Sequence, residues 1–346
     1  MKQETKNTIK RDASIEVYRV FLMFLICLLH SVSQGIASNP YLESGLLWAV
    51  CGFVFISGWF GIHFSPSKFL RLFFMGMVCG GIAILLAYII EVPLNSEAIV
   101  FMAMRQWFLC AYLVLMLLAP FVNAAIDNLS SVRNGAIAII ILAIWNWLST
   151  SRIVNDWGPM TSGLGNYSFI MMLIVYIAAR MIRKCHDKGS FILDTIPFLR
   201  LSYCILSVFI ILMLCWRIHL GDYSSPLALT MAVLVFFTFL RIKLKPKLER
   251  IILFIAPSMF SIYLIHTNKL GFTIIKELEM LLDKNSVPLI LTIPLTAFTV
   301  FCICLGVDLI RRCFAKLIKG CTKCFWLKID YYCDQLTARI CSFSKV

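Results

Sequence analysis

An arginine and a histidine eleven positions apart on one apolar run are the residues in this chain best placed to do chemistry. The run is Glu16-Val-Tyr-Arg19-Val-Phe-Leu-Met-Phe-Leu-Ile-Cys-Leu-Leu-His30. At about 100° per residue, eleven residues make almost three helical turns, so Arg19 and His30 share a face roughly 16 Å apart along the axis. Hydrocarbon solvates neither group, so a membrane helix with this pattern turns that face inward. An imidazole can take and return a proton near neutral pH, which makes His30 a candidate general base. Glu16, one turn before Arg19, is expected to pair with it and orient it. The plainer alternative treats Arg19 as a snorkelling anchor and His30 as the marker of the far interface, and spacing alone does not separate the two.

A second basic group opens a later apolar run. Lys68 and Arg71 are three residues apart and therefore on one helical face. With Arg19 they would place three cations near one membrane surface, suited to an anionic, phosphate-bearing ligand; routine anchoring of a span is the competing explanation. Of the other histidines, His266 follows Tyr263 in a later run and suits a packing or hydrogen-bonding role as well as a chemical one. His219, with Arg217 and Asp222, falls at a span end, where it would line a sugar entrance or be solvated in a loop. His63 and His186 lie in connections. Trp107, beside Arg105, is placed to stack on a sugar or to sit at the interface.

These residues need helices to hold them, and composition supplies the setting. The 346 residues are 60% hydrophobic and only 14% charged, against roughly a quarter charged in soluble domains, so lipid must be part of the solvent. Ten apolar segments are long enough, or nearly so, to cross a hydrocarbon core of about 30 Å. They fall near 15–34, 42–62, 68–90, 106–126, 135–149, 167–183, 201–220, 226–241, 251–270 and 288–310. If the N-terminus is cytoplasmic, 26 lysines and arginines fall inside and 6 outside, so both termini are expected in the cytoplasm. The fold class is therefore an all-α, polytopic membrane bundle of about ten transmembrane helices. Residues 1–14 form a cytoplasmic segment, 15–310 the transmembrane domain, and 311–346 a basic amphipathic tail expected on the cytoplasmic leaflet. The basic N-terminus followed by an apolar run mimics a signal peptide, but an uncleaved first span fits the many later runs better.

The net charge of +14 does not mark a nucleic-acid binder, because the cations cluster between apolar runs instead of interleaving with aromatics on one soluble face. Most of the 14 cysteines lie inside apolar runs, where cysteine acts as a small hydrophobe. Cys321 and Cys324, with Cys313 and Cys333 nearby, have the one spacing that suggests zinc; no metal and no permanently bound cofactor is expected. A transporter or flippase of a glycan or small acylated metabolite is the main rival class. Such a protein is expected to show mid-membrane carboxylates or two similar halves, and the sequence has neither. A non-catalytic membrane subunit is a third possibility, though it would have no use for Arg19 and His30 on one face.

The chain resembles the integral-membrane acyltransferase-3 family, which O-acylates bacterial surface glycans. The resemblance rests on Arg19-x10-His30 and on Lys68-x-x-Arg71, where the family usually has two arginines. It extends to Phe53-Val-Phe-Ile-Ser57-Gly58-Trp59-Phe60, Gln106-Trp107-Phe108-Leu109 and Ser261-Ile-Tyr263-Leu-Ile-His266. These segments, in this order, cover about residues 12–310. The resemblance implies a multi-pass protein of the bacterial inner membrane in a stand-alone form, with no hydrolase-like domain after the last helix. It implies an acetyl-CoA donor docking from the cytoplasm against Arg19, Lys68 and Arg71. It also implies an acceptor hydroxyl on an envelope polysaccharide such as O-antigen or capsule, or on a lipid-linked precursor, with His30 as base or as carrier of the acetyl group. Ser57, Gly58, Trp107, Tyr263, His266 and Glu16 are supporting candidates on the same footing. Besides donor, acceptor and bilayer, a homo-oligomer is the one partner the reading allows.

Overall fold

The computed structural model describes residues 11–36, 38–104, 106–150, 169–189, 191–218 and 222–343. Lys2, Lys6, Lys10, Arg105, Arg152, Trp157 and His219 lie outside this set. Among the described residues the structure is all helix, with no strand. In chain order the helices are α1 Ala13–Gln34, α2 Pro40–Leu46, α3 Trp48–Phe60, α4 Pro66–Ile89, α5 Ser96–Met104, α6 Trp107–Asp127 and α7 Val132–Thr150. They continue as α8 Phe169–Asp187, α9 Phe198–Leu214, α10 Pro226–Leu240, α11 Pro246–Ile255, α12 Met259–His266, α13 Lys269–Lys284 and α14 Leu289–Phe343.

Local chemistry sets many of the starts. Asp12 Oδ1 accepts from the Ser14 amide at 3.0 Å and caps α1. Asn39, Ser65 and Ser225 cap α2, α4 and α10, each followed by a proline whose fixed φ suits the first turn. α2 and α3 meet at Leu47 to give one apolar stretch, Pro40–Phe60. α11 and α12 meet through a 3-10 turn at Ala256–Ser258 that contains Pro257. Counting these pairs as single spans, six helices are long and apolar enough to cross a bilayer: 13–34, 40–60, 66–89, 107–127, 246–266 and 289–317. Val132–Leu148, Phe198–Leu214 and Pro226–Leu240 are shorter apolar helices. α8, the remaining expected span, carries Lys184 and His186 in its last turn. The chain is an all-α membrane bundle.

α1 is the axis of this bundle. It packs against α2, α3 and α10 through α14, burying Ile15, Tyr18, Leu22, Ile26 and Leu29 together with Met23 and Cys27. Tyr18 donates from its phenol to the Ala232 carbonyl on α10 at 3.1 Å, so even the polar atom of this buried ring is satisfied. Most of the basic residues fall in connections at the end of the bundle where α1 starts, and several do more than anchor it. Arg241 donates to the carbonyls of Leu193 and Ile196, Lys184 to those of Ile126 and Asp127, and Arg312 to that of Phe254.

Three features go beyond the sequence reading. α5 and α13 are helices in connections between expected spans; α13 buries Glu279, whose Oε2 accepts from the Ile36 amide at 2.8 Å just past the end of α1. The boundary expected at 311 has no counterpart in secondary structure, because α14 continues without a break to Phe343. At 1.5 Å per residue its 55 residues extend about 80 Å, far more than a bilayer core, so only its apolar first part can span.

Candidate active site

Two cavities lie at different levels of the bundle, with α1 contributing to both. The one at the basic end has a volume of about 290 Å³ and is lined by Arg11, Arg19, Ser57, Leu72, Met75 and Tyr112, among others. Arg19 is oriented by Glu16, whose Oε1 accepts from its Nη1 at 2.9 Å; the Glu16 side chain is buried while the guanidinium is about a third exposed. The expected pair therefore forms, and it aims a cation into the cavity. Ser57 lines the same wall, its hydroxyl donating to the Phe53 carbonyl and bonded to the Tyr112 hydroxyl at 3.1 Å.

Lys68 and Arg71 do not line this cavity. Leu72 and Met75, four residues on from each, take their places, so the two cations stand one turn nearer the basic end on the same face. The Arg71 guanidinium lies 5.0 Å from the ring of Trp326, brought there by the tail of α14. Gly58 sits at a helix contact and does not line this cavity. A β-carbon there would come within 2.7 Å of the Tyr176 carbonyl and closer still to Ala179, so the glycine lets α3 and α8 touch. Arg11, in the expected cytoplasmic segment 1–14, also lines the cavity.

The second cavity, about 180 Å³, is lined by His30, Glu43, Gln106, Trp107, Tyr223 and Tyr263, among others. His30 Nδ1 lies 3.0 Å from His266 Nε2, and His266 Nδ1 lies 2.7 Å from the Ile262 carbonyl. A carbonyl only accepts, so His266 carries its proton on Nδ1. With both rings neutral, His266 Nε2 then accepts from His30 Nδ1–H, and the lone pair of His30 is left on Nε2. His266 is fully buried, and Phe272 packs beside the His30 ring at 5.7 Å. The arrangement fixes both the tautomer and the tilt of a histidine that lines a cavity, which is what a general base requires.

The same cavity collects residues that sequence reasoning passed over. Glu43 reaches it from α2, and Tyr223 packs its ring 5.6 Å from that of Trp107. Gln106 donates through Nε2 to the Leu264 carbonyl at 2.7 Å, tying the start of α6 to α12. Signals existed for two of them: Gln106 opens a matched segment, and Glu43 is an isolated carboxylate just after an Asn-Pro helix start. The Glu43 carboxylate, the side-chain amides of Gln34 and Gln106, and the rings of Trp107, Tyr223 and Tyr263 around one small cavity suit a hydroxyl-rich ligand. Trp107, Tyr263 and His266 are thus brought together around His30, while Arg19, Glu16 and Ser57 assemble at the other cavity.

Among the described residues no group of three or more His, Cys, Asp or Glu side chains is placed to hold a metal. The side chains of Cys321 and Cys324 lie outside the described set.

Neither curated proteins nor solved structures provide a match to this chain. A family model described as an acyltransferase domain matches residues 12–310, nearly the whole chain, including every lining residue of the two cavities except Arg11. The protein is a multi-pass membrane protein of the acyltransferase-3 family.

Proposed function

We propose that the protein is an O-acetyltransferase of the bacterial inner membrane that takes acetyl from acetyl-CoA at its basic, cytoplasmic end. It passes the group to a hydroxyl of an envelope polysaccharide, such as O-antigen or capsule, or of its lipid-linked precursor, at the opposite face. The observation that carries this reading is the His30–His266 hydrogen bond, which leaves His30 Nε2 as an acceptor at a cavity.

Arg19 and Arg11 meet the phosphates of the donor, with Lys68 and Arg71 one turn further out along the approach. The pantetheine arm extends through the basic-end cavity and carries the thioester, acyl end first, to the cavity of His30, where the bonds are made and broken. Trp107 and Tyr223 offer faces to the acceptor sugar, and Glu43 accepts hydrogen bonds from its hydroxyls. His30 Nε2 removes the proton from the attacking hydroxyl, the new C–O bond forms, and the C–S bond of the thioester breaks. The imidazolium then returns its proton to the departing thiolate, so no net proton stays on the enzyme. His266 orients His30 throughout and spreads the transient positive charge.

The test is the mass and acetyl content of surface glycan from cells carrying wild type, His30→Ala, or neither, at matched membrane levels. Acetylation by wild type alone supports the transferase. A change in the amount or location of glycan with unchanged acetylation would instead support a transporter.

A further inference from the structure

The two cavities share no lining residue, and what stands between them is a set of four aromatic rings. Phe108 and Tyr112 of α6 stack at 6.1 Å with 12° between their planes, and Phe260 and Tyr263 of α12 stack at 6.1 Å with 19°. The two stacks touch, Phe108 lying 5.3 Å from Tyr263 and 6.2 Å from Phe260. Phe108, Tyr112 and Phe260 line the basic-end cavity, whereas Tyr263 lines the cavity of His30. Any group moving from one cavity to the other along this line must pass these rings.

The partition is held from three sides. The Ser57–Tyr112 hydrogen bond fixes one ring, and the Gln106–Leu264 bond ties the two helices that carry all four. On the third side α12 starts from the proline-containing 3-10 turn at Ala256–Ser258, whose Ala256 and Pro257 also line the basic-end cavity. Rings packed at these separations leave no standing channel, and their faces exclude water from the line between donor and base.

We infer that this ring partition is the acyl passage and that Phe108, at its centre, sets the length of acyl chain transferred. The inference rests on the transferase reading above. A two-carbon acyl group needs only a small displacement of the rings, and each added methylene must open a packed aromatic contact further. Truncating Phe108 removes the ring of one stack that touches both rings of the other, and joins the cavities. The enzyme should then accept longer chains and lose part of its barrier to water.

The experiment uses membranes containing the full-length protein and native glycan, supplied separately with acetyl-, propionyl-, butyryl- and hexanoyl-CoA. Transferred acyl mass on glycan is read by mass spectrometry, and thiol release is followed in glycan-free membranes. In Phe108→Ala the ratio of hexanoyl to acetyl transfer is expected to rise about tenfold or more over wild type, with Phe108→Leu between them. Thiol release without glycan should rise in the same order. Should Phe108→Ala fail to reach the membrane, Phe108→Leu and Phe260→Leu decide by the same ratio. An unchanged ratio in variants that still transfer acetyl overturns the partition's role and leaves the transferase standing. Wild type that acylates glycan from none of the four donors overturns the transferase reading, and this inference with it.

Discussion

The two ends of the proposed catalytic line are built on different principles. At the basic end Arg11, Lys68 and Arg71 are exposed and Arg19 is partly exposed, with Glu16 paired to Arg19 and the Trp326 ring beside Arg71. At the other end His30 is fixed through His266 to a backbone carbonyl, and the Gln106 amide is fixed to another. Charge attracts an anion from many directions, so the donor end can tolerate an approximate arrangement. Proton transfer needs a lone pair aimed at one atom, so the acceptor end cannot. The lesson is that loss at one end should appear in donor affinity, and loss at the other in turnover.

The largest effect expected is from His30→Ala, which should lower transfer by about a hundredfold or more at equal membrane abundance, measured as acetyl mass on glycan. His266→Ala should lower kcat by about ten- to a hundredfold while leaving the KM for acetyl-CoA unchanged, because His266 acts through His30 and touches no donor atom. His266→Gln, which keeps a hydrogen-bond acceptor for His30 Nδ1–H, should recover part of that loss; a shift in KM instead would break the contrast between the ends. Arg19→Ala should raise the KM for acetyl-CoA by about tenfold with kcat largely kept, and the difference from wild type should shrink as salt is added. Arg71→Ala and Lys68→Ala should do the same more weakly, since both stand a turn outside the cavity; an effect larger than that of Arg19→Ala would move the phosphate site to α4. Smallest for catalysis, Gly58→Val should overpack the α3–α8 contact and cost about 1–3 kcal/mol, read as a lower thermal midpoint of the purified protein with both kinetic constants unchanged.

Much of this was legible from local pattern. The length of the apolar runs located the spans, and the three-residue spacing of Glu16 and Arg19 anticipated their ion pair. The eleven-residue spacing put His30 on the inward face because a single helix carries both residues. What was not legible depended on contacts between distant segments. His266 was visible as a histidine in a span, but its bond to His30 joins residues 236 apart and leaves no local trace. Lys68 and Arg71 share a face by their spacing, yet the level of that face relative to Arg19 is set by how α4 packs against α6, α12 and α14. The partition was hidden for the same reason: Phe108 and Tyr263 are ordinary aromatics of apolar runs until α6 and α12 meet. The close approach of Gly58 to α8 is of the same kind, since it depends on a helix more than a hundred residues away.

The most direct test of transfer across the bilayer uses sealed membrane vesicles of known sidedness, with radiolabelled acetyl-CoA added to one face only. Label should enter glycan in wild-type vesicles only when acetyl-CoA meets the cytoplasmic face, and it should not enter in His30→Ala vesicles. Glycan that crosses or accumulates in wild type without taking up label, or equal labelling in His30→Ala, would contradict acetyl transfer through His30.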